Sequence, residues 1–195
     1  MNIFAPAHGA QRLSLPEYLK LCRTHFARYW KHYTIPLACV FLLQFVIRFD
    51  VNYTESLPDH VFVTVKGWKT GLKRGDYVAY RFPNEHPYSP FRKGDHMVKI
   101  IVGAAGDEVR MNADRTFSIF ASDDSSAFRT LGGHSTGKAK TVSRAGKPLE
   151  AGPTGVIPEG SYYVYAPHKD SLDSRYAIVG WVTTDDIIGR SFSLF

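Results

Sequence analysis

The sequence predicts a mainly β chain: a β-core with an inserted smaller β/loop lobe, preceded by an N-terminal amphipathic helix and a single transmembrane helix. Three observations carry this. Beyond Asn52, short β-branched or aromatic runs recur between Gly, Pro, Asn and Asp residues. Ahead of them, Tyr33–Phe49 is a strongly apolar run in a chain whose mean hydropathy is −0.20. Before that run, apolar residues recur every three or four positions.

In chain order, Ser14-Leu15-Pro16-Glu17 reads as a helix start, with Ser14 as N-cap, Pro16 in the first turn and Glu17 as the capping-box partner. Leu15, Tyr18, Leu19, Cys22, Phe26 and Trp30 then form one stripe, with Lys20, Arg23 and Arg28 opposite. Such a helix can lie in a headgroup region or pack on the protein itself. Tyr33–Phe49 is 17 residues long and contains Gln44, at the lower edge of what crosses a bilayer. Five basic residues against one acid in residues 1–32 orient such a span with its N-terminus in the cytoplasm. The expected division is therefore a cytoplasmic or interfacial segment 1–32, an anchor 33–49, and a domain 50–195 on the far side of the membrane, with a lobe at about 108–157.

The expected strands are His60–Val65, Asp76–Phe82, His96–Val102, Glu108–Met111, Thr116–Phe120, Ser161–Ala166, Ala177–Val182 and Ile187–Leu194. Asp123–Lys140 is polar and glycine-rich and reads as a loop. Net charge is +6, but residues 1–50 hold six basic and two acidic groups against eighteen and sixteen beyond. The basic excess is thus concentrated outside the β-rich part, which argues against nucleic-acid binding. Both cysteines, Cys22 and Cys39, precede that part, so no disulfide and no cysteine metal site is expected there.

Three local features could carry chemistry. Alternation along His96–Val102 puts Lys99 on the same face as Met97 and Ile101. That face is either exposed or buried; burial would lower the lysine pKa toward general-base range. Gly103 and Gly106-Asp107 follow, suggesting a tight turn. Ser56 precedes Leu57-Pro58 in a polar stretch that is either a plain linker or an exposed nucleophile loop. Asp173-Ser174-Arg175 reads as a turn with a local ion pair.

Taken in order, Ser56-x-Pro58, Lys99-x3-Gly103-x2-Gly106-Asp107, Pro158-x-Gly160, Asp173-Ser174-Arg175 and Gly189-Arg190 resemble the type I signal peptidase family, peptidase family S26. Within it the chain is most similar to the TraF-type maturation peptidases of conjugative plasmids. General signal peptidases carry Ser-Met-x-Pro, whereas Ser56-Leu57-Pro58 has the TraF-type form; Ala105 replaces the usual proline before Gly-Asp. The resemblance implies Ser56 as nucleophile, Lys99 as general base, and an oxyanion hole from the Ser56 N–H and the Thr54 hydroxyl. It implies supporting roles for Gly103, Gly106, Asp107, Asp173, Ser174 and Arg175, with Ser174 orienting the lysine. It further implies a single-pass bacterial inner-membrane protein with its domain 50–195 in the periplasm, cleavage of a conjugative pilin or other secreted precursor, pilin cyclisation in some relatives, neighbouring conjugative secretion components, and no metal or organic cofactor. A non-enzymatic β-domain scaffolding a pilus or secretion channel is the competing reading. The Ser56–Lys99 distance separates the two.

Overall fold

The computed structural model describes residues 14–85, 89, 91–122 and 134–195, which divide into the units Met1–Gln44 and Phe45–Phe195. Helix α1 spans Leu15–Val46. Its start is closed by Glu17, whose Oε2 accepts from the Ser14 N–H at 2.9 Å, while the Ser14 carbonyl accepts the Tyr18 N–H at 3.0 Å. The helix continues through Pro36, and none of its residues is buried.

This corrects the expected architecture. The amphipathic and apolar segments form one helix, and the predicted span does not remain helical to its end. Ile47, Arg48 and Phe49 belong to strand β1 (Ile47–Val51). Only Tyr33–Val46 of the run is helical, about 21 Å at 1.5 Å per residue against a hydrocarbon thickness of about 30 Å. The switch has a physical cause. Arg48 and Asp50, two residues apart on one strand face, pair at 2.7 Å, and the second Asp50 oxygen accepts from the Thr64 hydroxyl at 2.7 Å. Among the described residues no helix is long and apolar enough to cross a membrane. The single-pass inner-membrane placement, with cytoplasmic N-terminus and periplasmic domain, falls with the span on which it rested.

The remaining chain is mainly β. Strands β2 (Val61–Lys66), β3 (Tyr77–Arg81), β4 (His96–Ala104), β5 (Glu108–Met111), β6 (Thr116–Phe120), β7 (His134–Lys138), β8 (Gly155–Val156), β9 (Ser161–Tyr165), β10 (Val182–Thr183) and β11 (Ile187–Ser193) follow β1. They form a seven-stranded sheet, β1-β2-β11-β3-β4-β9-β10, and a four-stranded sheet, β7-β6-β5-β8. Two expectations change. His134–Lys138, read as loop, pairs with β6; residues 123–133 of that loop lie outside the described residues. Of Ala177–Val182, read as strand, Ala177, Ile178 and Val179 form a turn, and only Val182 enters β10. Its apolar content reflects burial of Val179 in the core.

Strand alternation builds the interior. Val78, Tyr80, Met97, Ile101, Val164, Val182 and Ile187 share one core, each large side chain contributing about 1.5–3 kcal/mol on burial. Leu57, Phe62 and Ala166 form another cluster, against Tyr77, Val98 and Ile100. Val109, Phe117, Ile119, Ile157 and Tyr163 fill the core beneath the smaller sheet. Gly103 lets these layers close: a Cβ there would lie 2.7 Å from Ile157 Cδ1 and 3.1 Å from Tyr163 Cβ.

Candidate active site

Between β1 and β2 the chain makes a closed loop, its ends joined by the Asn52 N–H donating to the His60 carbonyl at 2.8 Å. Leu57 is buried against Phe62 and Ala166, which pulls its neighbour Ser56 inward; Ser56 is only 4% exposed. Glu55, just before it, has φ of +49°, a left-handed conformation unusual for a side chain of this kind. The Pro58 ring restricts the other side.

Lys99 takes the buried alternative. It stands opposite Val78 in the β3–β4 ladder, with Met97 and Ile101 on its own face, and is 3% exposed. Burial lowers its pKa from 10.5 to about 8; Asp173 pulls it back up and Arg175 adds to the lowering. Its Nζ lies 2.8 Å from Ser56 Oγ. Thr54 Oγ1 lies 3.2 Å from the same oxygen. The Ser56 hydroxyl, the Lys99 amine and the Thr54 hydroxyl are thus brought together.

Of the other resemblance residues, Asp173 and Arg175 act on Lys99 electrostatically, and the rest are engaged elsewhere in the fold. Asp173 accepts two hydrogen bonds from the Arg175 guanidinium, each at 2.8 Å, and one from the Ala166 N–H at 3.2 Å. Both residues are buried, so the ion pair is desolvated and acts on Lys99 through its field. Ser174 Oγ accepts from the Val164 N–H at 3.0 Å; the structure engages it with β9 rather than with the lysine. Gly152 makes this packing possible, because a Cβ would sit 2.0 Å from the Ser174 carbonyl oxygen. The loop leaving β9 is tied to the β1–β2 loop where the His168 N–H donates to the Ser56 carbonyl at 3.4 Å. Asp107 serves the β4–β5 turn. Its carboxylate accepts from the Ala104 N–H at 2.8 Å, Ser122 N–H at 3.1 Å and Arg74 Nε at 2.8 Å. Gly106, at φ +89°, makes that turn.

Two residues escaped the sequence reading. Asn52 donates through Nδ2 to the Leu57 and Asp59 carbonyls, both at 3.1 Å, and accepts at Oδ1 from the loop's own donors. The alternation Asn52-x-Thr54-x-Ser56 was its available signal. Ser171, 4% exposed, carries a buried hydroxyl with no hydrogen-bond partner among the described residues. Nothing local in the sequence marks it, apart from its place two residues before Asp173.

A crystal structure of a signal peptidase I from Enterococcus faecalis V583 is similar at 25% sequence identity, over 65% of this chain and 98% of that chain, with a TM-score of 0.37. No curated protein matches the chain. The family model described as signal peptidase, peptidase S26, matches residues 28–195. The chain belongs to that family.

Proposed function

We propose that this chain is a serine endopeptidase that cuts the signal-peptide region of exported precursors, with Ser56 as nucleophile and Lys99 as general base. Family membership is consistent with a serine-peptidase role in general. The observation that carries the specific reading is the 2.8 Å contact between two almost fully buried side chains, Lys99 Nζ and Ser56 Oγ. A scaffold would have no need to keep an amine desolvated against a hydroxyl. The catalytic domain is taken as residues 50–195, with the lobe at about 108–157.

In this mechanism the neutral Lys99 amine takes the Ser56 proton as Oγ attacks the scissile carbonyl carbon. The oxyanion receives hydrogen bonds from the Ser56 N–H and the Thr54 hydroxyl. The lysine ammonium then protonates the departing amine, leaving an acyl-enzyme at Ser56. Water, deprotonated by Lys99, completes hydrolysis. Asp173 and Arg175 set the lysine's proton affinity, and Gly103, Gly106, Asp107 and Ser174 hold the strands and turns around it. At its finest, the substrate is a conjugative pilin precursor acting beside conjugative secretion components, a reading supported by Ser56-Leu57-Pro58.

The test uses a fluorogenic peptide with an Ala-x-Ala segment before the cut, the cleavage pattern of signal peptides. Ser56→Ala and Lys99→Ala should each lose at least about 10³-fold in kcat. Unchanged cleavage by either variant removes the assignment. With a pilin precursor, a product one water lighter than the linear cleaved chain identifies head-to-tail joining; a product of linear mass identifies hydrolysis.

A further inference from the structure

The side chain of Asn52 touches every group that the proposed chemistry asks of the nucleophile loop. Its Nδ2 donates to the Leu57 and Asp59 carbonyls at 3.1 Å each. Two carbonyl acceptors on one side fix which end of the amide is nitrogen. Its Oδ1 is thereby turned toward the reacting groups, where it accepts from the Thr54 hydroxyl at 3.2 Å, the Ser56 hydroxyl at 3.3 Å and the Ser56 N–H at 3.4 Å. The first and last of these are the two donors assigned to the oxyanion.

We propose that Asn52 is a positioning residue for the oxyanion site: its side-chain carbonyl gathers the Ser56 N–H and Thr54 hydroxyl in the resting enzyme and releases them to the substrate oxyanion. The inference rests on the Ser56–Lys99 reading above. Its physical basis is competition for hydrogen bonds. Three donors share one neutral amide oxygen at 3.2–3.4 Å, long for their kind and therefore weak. A charged oxyanion accepts roughly twice as strongly as a neutral oxygen, so the donors transfer to it without having to be assembled first. The Nδ2 bonds keep the loop's shape during the exchange. Oδ1 also lies within about 6 Å of Lys99 Nζ, through Ser56 Oγ, so a charge placed there is felt by the lysine.

The test measures kcat and KM as functions of pH on the full chain with the Ala-x-Ala peptide, for wild type, Asn52→Ala and Asn52→Asp, beside Ser56→Ala and Lys99→Ala. Asn52→Ala should lower kcat about tenfold to a hundredfold, less than deleting an oxyanion donor outright, with KM within about twofold. Asn52→Asp should lower kcat similarly and also move the acidic limb of the profile to higher pH, because a carboxylate near Nζ favours the ammonium. A loss appearing only in KM, a wild-type kcat for Asn52→Ala, or an unmoved limb for Asn52→Asp overturns the inference. If Asn52→Ala lacks a cooperative thermal transition, Asn52→Asp, which keeps the size and an acceptor oxygen, decides by the same readouts. Wild-type cleavage by Ser56→Ala or Lys99→Ala would instead remove the reading beneath it.

Discussion

Burial holds the Lys99 ammonium at a pKa of about 8, against 10.5 for the free side chain, so between those values the unfolded chain binds this proton more tightly than the folded one does. Stability therefore rises as pH climbs from about 8 to 10.5 through this group, and below pH 8 the full penalty applies. A shift of that size is on the order of 3 kcal/mol. Lys99→Met should abolish cleavage yet stabilise the fold at pH 7 by about 1–3 kcal/mol, with the gain shrinking as pH rises from about 8 to 10.5; urea unfolding at both ends of that range and at pH 7 measures it. Equal stability at pH 7 would mean that the amine is solvated. For the reaction the sign is simpler. Only the neutral amine can take the Ser56 proton, so kcat should fall tenfold per unit below pH of about 8. The strained Glu55, at φ +49°, gives a second residue-scale test. Glu55→Val should cost about 1–2 kcal/mol in thermal unfolding, because a β-branched side chain resists left-handed backbone, and Glu55→Gly should relieve the strain.

The loop between β9 and β10 is the element that tunes this lysine. Asp173→Asn leaves Arg175 buried without its carboxylate, a loss of about 3–5 kcal/mol. It also removes the charge that raises the Lys99 pKa. The variant should melt lower but show the acidic limb of kcat at lower pH, and an unmoved limb would place Asp173 outside the lysine's field. At this scale much of the fold was legible. β-branched and aromatic runs between Gly, Pro, Asn and Asp marked β2, β3, β4, β5, β6, β9 and β11 to within two residues at each end. His134–Lys138 was not legible, because its sequence HSTGK has polar side chains and pairs through the backbone alone, with only Thr136 fully buried. Ala177–Val182 misled for the opposite reason, an apolar run buried as turns. Tyr33–Phe49 misled because hydropathy averages over a change of period: helix to Val46, strand from Ile47. For the site, the resemblance to the signal peptidase family pointed to Ser56, Thr54 and Lys99, where the residues taken singly favoured neither a nucleophile nor a base. Whether Lys99 faced core or water needed the neighbouring strands. Ser174 was assigned to the lysine, and only tertiary packing shows its hydroxyl on Val164.

At the scale of the whole molecule, the buried residues of all three core clusters fall between Leu57 and Ile187, whereas α1 buries nothing of its own. The proposed reacting groups and the strands that hold them also lie within Phe45–Phe195. A chain beginning at Phe45 keeps β1 with its ladder to β2, and so keeps the anchored start of the nucleophile loop. Its unfolding should remain cooperative, with a midpoint within a few degrees of the full chain, because the buried residues of all three core clusters lie within it. Its kcat on the Ala-x-Ala peptide should stay within about twofold, since Ser56, Lys99 and the strands that carry them all lie within Phe45–Phe195. Self-association should fall, as the deletion removes exposed Leu15, Leu19, Phe26, Trp30, Leu37 and Phe41. Thermal denaturation, peptide cleavage and sedimentation of the two chains side by side check the three outcomes. A truncated chain that sediments as a folded monomer but no longer cleaves would assign α1 a part in the chemistry, and one that fails to unfold cooperatively would assign it a part in the core.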